Sequence, residues 1–107
     1  MVDIQRFKDE GLSKIFSSHL IKSIYPMVDR IDVYDVKEVG FLVFRIFLND
    51  PKIDESNMYE KGMDPHYLID VHGKKYLKYF GIDKKIGMVL YSNDGEKLVE
   101  FLPKDIY

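Results

Sequence analysis

Residues 72–85, HGKKYLKYFGIDKK, set five lysines and one aspartate around Tyr76, Tyr79 and Phe80. Lysine neutralises phosphate and a tyrosine ring stacks on a base, the combination that single-strand binders use. If the stretch is helical, Lys74 and Lys78 lie one turn apart and Lys75 sits beside Tyr79. Lys84 and Lys85 carry the charge past the helix end. The candidate nucleic-acid contacts are therefore Lys74, Lys75, Lys78, Tyr79, Lys84 and Lys85. The same residues also have a plain structural reading. Cations in and after a last helical turn favour the negative end of the helix dipole, while Tyr76, Leu77 and Phe80 serve the core. Lysine also lacks the planar bidentate geometry by which arginine recognises phosphate and guanine. The structural reading is the expected one, and with it no oligonucleotide binding at physiological salt.

Other groups of reactive residues are less complete. His66 and Asp70, four apart, have the spacing of two ligands on one helical face, but His72 points elsewhere and no HExxH is present. Capping and surface hydrogen bonding are expected of them. His19 falls in an apolar helical stripe, as a hydrogen-bonded residue at the core edge. Asp29, Asp32 and Asp35 have the residue type that holds magnesium. Along a strand, however, Asp29 and Asp35 share one face and Asp32 takes the other. The chain has no Walker loop, GxGxxG, GxSxG or Ser/His/Asp grouping, and no cysteine, which removes disulfides, thiolate zinc sites and cysteine nucleophiles. The expectation is a non-enzymatic protein with no catalytic residue, no metal and no cofactor.

The remaining feature is an excess of apolar side chains. In FLVFRIFL (41–48), Leu42, Phe44, Ile46 and Leu48 suffice for one buried face. Phe41, Val43 and Phe47, with Arg45 among them, then lie on the other. An apolar second face marks a protein interface, so Phe41, Val43, Arg45 and Phe47 are the candidate contacts for a partner protein or for self-association. Cover by an N-terminal segment (Val2, Ile4, Phe7) or by the C-terminal tail is the alternative.

The elements that must carry these residues follow from periodicity. Leu12, Ile15, Phe16, His19, Leu20 and Ile24 form an amphipathic stripe, capped by Asp9 or Ser13 and ended by Pro26. VDRIDVYDV (28–36) alternates as a half-buried strand, residues 35–40 turn, and FLVFRIFL returns, giving a hairpin. Residues 49–63 read as a polar loop with one turn of helix. Asp64-Pro65 is an N-cap with proline at the first helical position, and Phe80-Gly81-Ile82 reads as a helix end. These signals favour one helix between them over a hairpin turning at Gly73. Asn93-Asp94-Gly95 links the last two strands. The order α-β-β-α-β-β predicts an α+β fold with a four-stranded, mainly antiparallel sheet and two helices on one face.

Composition bounds the class. The chain, residues 1–107, is expected to form a single globular domain, since its 46% apolar content and 15 aromatic residues can build a core at this size. No signal-peptide core or span of about 20 apolar residues is visible, so a soluble cytoplasmic protein without membrane partners is expected. Net charge is −2, yet residues 1–71 carry nine basic against thirteen acidic groups, so basic character is confined to 72–85. That argues against general nucleic-acid affinity. The chain has no alanine or threonine, and lysine outnumbers arginine thirteen to three. An AT-rich genome accounts for this, as in many bacteriophages, Firmicutes and some archaea. The functional expectation is a small phage or viral accessory protein acting on a partner protein, with nucleic-acid binding through 72–85 as the alternative.

Overall fold

The computed structural model describes residues 6–23, 25–36 and 40–101. Helix α1 (Glu10–Ser23) begins where the Asp9 carboxylate accepts the Leu12 N–H at 2.9 Å, so Asp9 is the cap. Ser13 has a different role. It is buried, and its hydroxyl accepts the Val33 N–H at 2.8 Å. One turn later the Ser17 hydroxyl accepts the Ile31 N–H and donates to the Ile31 carbonyl, both at 3.0 Å. Both bonds fall on strand β2 (Val28–Val36), whose other end pairs with a short strand, β1 (Arg6–Lys8). The Asp9 N–H to Val33 carbonyl bond, 2.8 Å, joins the two devices. The edge of β2 is thus closed first by a strand and then by two serines of a helix, leaving little template for another chain.

β2 pairs antiparallel with β3 (Phe41–Leu48), β3 parallel with β4 (Lys85–Tyr91), and β4 antiparallel with β5 (Lys97–Phe101). The sheet order is β1-β2-β3-β4-β5. The four strands expected from the sequence stand in the expected order, with β1 added at the edge. The parallel central pair arises because the chain leaves β3, runs through the second helix and re-enters at the opposite end, as a crossover requires.

One sheet face holds the core. Ile31 and Val33, then Leu42, Phe44, Ile46 and Leu48, then Ile86, Met88 and Leu90 are all buried there. Both helices cover it. Phe16 of α1 meets Phe44 edge-on, ring centres 4.7 Å apart, and Tyr76 of the second helix at 5.9 Å. Full burial of such side chains is worth about 1.5–3 kcal/mol each. Leu12 shares the α1 stripe, while the side chains of His19, Leu20 and Ile24 lie outside the described residues. The connection 49–63 is less polar in role than in composition, since Ile53, Met58 and Met63 plug the core while Asp54 ties the turn through the Ser56 and Asn57 N–H groups.

The second helix, α2, is continuous over 65–79 and excludes the hairpin at Gly73, whose φ is −60°. Its start is as the sequence indicates: Asp64 accepts the Tyr67 N–H at 3.1 Å and Pro65 opens the first turn. So is its end. Gly81 takes φ +72°, its N–H reaches the Lys78 carbonyl, and the Ile82 N–H reaches the Leu77 carbonyl at 2.9 Å. Between them, Leu68–Gly73 is π-helical. The buried residues run Leu68 and Ile69, then Gly73, then Leu77. This corrects the placement of Phe80 in the core: it is the C-cap residue, off that line, and 44% exposed.

Candidate functional site

The sheet face away from the helices is built from alternate residues of four strands. Register places Arg30, Asp32 and Tyr34 of β2 beside Phe47, Arg45 and Val43 of β3, and these beside Tyr91, Val89 and Gly87 of β4. The Arg30 guanidinium carbon lies 4.0 Å from the centre of the Phe47 ring. From the neighbouring strand Tyr91 stacks on Phe47, centres 4.9 Å apart and planes within 10°. Phe47 is therefore held between a cation and a second ring. Arg45 lies over Tyr34 at 4.8 Å in the same manner. Exposed cation–π pairs are worth about 0.5–1 kcal/mol, and more when desolvated.

Electrostatics complete the arrangement. Asp32 is 8% exposed and has Lys8 and Arg30 each at 3.4 Å, so its charge is compensated. Further along, a bulge opposite Leu90/Tyr91 turns Lys97 and Glu100 to the same side, where they pair at 2.7 Å. No carboxylate is paired with Arg45 among the described residues. The face offers aromatic edges, aliphatic surface and guanidinium N–H donors.

The interface candidates divide on this face. Val43, Arg45 and Phe47 are half-buried, but Phe41, on the same parity, is only 5% exposed. The proposed cover by Val2 and Ile4, or by a C-terminal tail, lies outside the described residues, as does the side chain of Phe7. Arg30, Tyr34 and Tyr91 belong to the face and were not singled out from sequence. The alternation of VDRIDVYDV, which puts Arg30, Asp32 and Tyr34 on one parity, was the available signal.

The basic stretch divides as well. Lys74 pairs with Asp70 at 3.3 Å and Lys84 with Asp35 at 2.8 Å, while Lys85 opens β4 opposite Phe41. Lys75 and Lys78 are exposed around Tyr79, which is 82% exposed and edge-on to Phe80 at 5.3 Å. His66 packs against Phe101 while Asp70 serves Lys74; Asp29 and Asp32 share Arg30, Asp32 also meets Lys8, and Asp35 pairs with Lys84. Among the described residues no three histidine or carboxylate side chains converge as a metal site. Tyr25, buried beside α2 with its ring near His72, has its phenol pKa raised by burial and then by the Asp64 charge. No family model, curated protein or solved structure matches the chain. No helix among the described residues is long and apolar enough to cross a membrane.

Proposed function

We propose that this chain is a non-catalytic protein-binding module that engages a partner protein through the face formed by Arg30, Tyr34, Val43, Arg45, Phe47 and Tyr91. The observation that carries the reading is the Arg30–Phe47–Tyr91 stack with its Arg45–Tyr34 companion. Two of the chain's three arginines lie there. Arginine and tyrosine dominate the residues that carry binding energy in interfaces. Holding them in place beforehand removes an ordering cost of about 0.5–1.5 kcal/mol per side chain on association. A protein partner suits this face better than a base, because both faces of the Phe47 ring are already occupied. Carboxylates and aliphatic side chains are its chemical complement.

The lack of cysteine supports action in the cytoplasm, and the alanine-free, lysine-rich composition supports an accessory protein of a phage or virus with an AT-rich genome. The test compares wild type with Val43→Asp/Arg45→Glu in partner capture and in light scattering. The expected result is one captured protein, or a concentration-dependent oligomer, lost in that variant and kept in Lys75→Glu/Lys78→Glu. A wild type that stays monomeric and captures nothing from its own host's lysate overturns the proposal.

A further inference from the structure

We propose that the C-terminal end of α2, with Lys74, Lys75 and Lys78 around Tyr79 and Phe80, binds single-stranded nucleic acid without sequence preference. The site is separate from the sheet face and does not depend on the function proposed for that face. Tyr79 is 82% exposed and Phe80 44%, so neither ring is committed to the core. Their edge-to-face contact at 5.3 Å leaves the Tyr79 ring open to a stacking base. Lys75 and Lys78 are exposed and have no ion pair among the described residues. Lys74 is held by an exposed Asp70 contact of the i,i+4 kind, weak enough to exchange for phosphate. Lys84 stays with Asp35 as part of the fold.

Charge complementarity selects an anion, and geometry selects a strand over a membrane. The acidic groups lie overwhelmingly outside 72–85. A planar acidic bilayer covers far more of the surface than the helix end, whereas basic character is confined to 72–85. A flexible strand meets only the helix end. The exposed side of the helix here is lysine, with no aliphatic stripe to enter a bilayer. Lysine, a point charge, neutralises phosphate without reading bases. The helix dipole opposes an anion at this end, so binding has to come from the cations and the stack, and will be weak.

The test is fluorescence anisotropy of labelled oligo-dT between about 50 and about 200 mM salt. Two or three phosphate contacts give a log–log slope between about −1.4 and about −2.1. Tyr79→Ala should weaken binding about 5- to 100-fold through loss of one base stack, and Tyr79→Phe should not. Lys75→Glu/Lys78→Glu should abolish it, and a duplex of equal charge should bind less well than the strand, because its bases are already stacked. These side chains are exposed, so the variants should keep the wild-type circular dichroism. The proposal is overturned by no binding at the lowest salt, by binding indifferent to Tyr79→Ala or to duplex formation, or by sedimentation with phosphatidylserine vesicles in place of oligonucleotide binding.

Discussion

Replacing Ser13 by alanine isolates the way α1 closes the edge of β2. The hydroxyl is buried and accepts the Val33 N–H at 2.8 Å, so its loss leaves a buried backbone donor without a partner. Such a donor costs about 1–3 kcal/mol. Alanine offsets only a few tenths of that through helix propensity. At about 4 °C or more per kcal/mol for a domain of this size, the melting temperature should fall by about 4–15 °C. Ser17→Ala should cost a similar amount, since it removes both the donor and the acceptor for Ile31. Ser18 is the control. It is exposed and bonds only the Lys14 and Ile15 carbonyls of its own helix, so Ser18→Ala should change stability by no more than about 0.5 kcal/mol. Urea melts of the three variants, with amide exchange at Val33 and Ile31, make the comparison. Equal stability of Ser13→Ala and Ser18→Ala, with Val33 still protected, would refute the reasoning.

Two glycines of α2 should respond in opposite directions. Gly81→Ala meets no neighbouring atom but is forced to φ +72°, and should lose about 1–2 kcal/mol in denaturant melts. Gly73→Ala keeps a helical φ and finds ordinary contacts at 3.6–3.8 Å, so it should gain up to about 1 kcal/mol in the same assay. The buried Tyr25 phenol has a folded-state pKa above its unfolded value of 10.0, chiefly through burial. Its contribution to stability is therefore complete below that value and is lost as pH rises through the folded one. Absorbance titration should show a late tyrosinate transition that Tyr25→Phe removes. Phe41→Ser/Val43→Ser should unfold or strongly destabilise the chain, because truncating a buried phenylalanine alone costs about 3–5 kcal/mol. A stable double variant in thermal melts would show that the burial of Phe41 contributes little to the fold.

Much of the local structure was legible because it is written in short-range chemistry. Asp64-Pro65, Gly81-Ile82 and Asn93-Asp94-Gly95 each fix backbone geometry by themselves, and each lies where it was expected. What depends on distant partners was not legible. The π-helical Leu68–Gly73 reflects how α2 seats on the sheet, with Gly73 against the Phe44 ring, and no pattern within the helix specifies it. Ser13 reads in sequence as a candidate cap and Ser17 carries no signal; β2 supplies the N–H groups that both satisfy. At the sheet face, the strand pattern marks Arg45 as an interface candidate but does not show what it packs against. Its role needs Tyr34, which only the register of β2 against β3 brings to it.

The parallel pairing of β3 with β4 has a consequence for how the chain reaches this state. β2–β3 and β4–β5 are both hairpins that can zip locally, but an isolated two-stranded ribbon is marginal in water. The ladder that joins them can form only after everything from Asn49 to Lys84 has been looped back. That closure must be met before its contacts repay it. The rate-limiting event in folding should then be the meeting of the two hairpins with α2 between them, with neither half persisting alone. The turn of 54–62, exposed except at Asn57 and Met58, lies between the halves. A protease cut there would leave two fragments held together by the central ladder and core, able to stay associated once folded but slow to reassemble after denaturation.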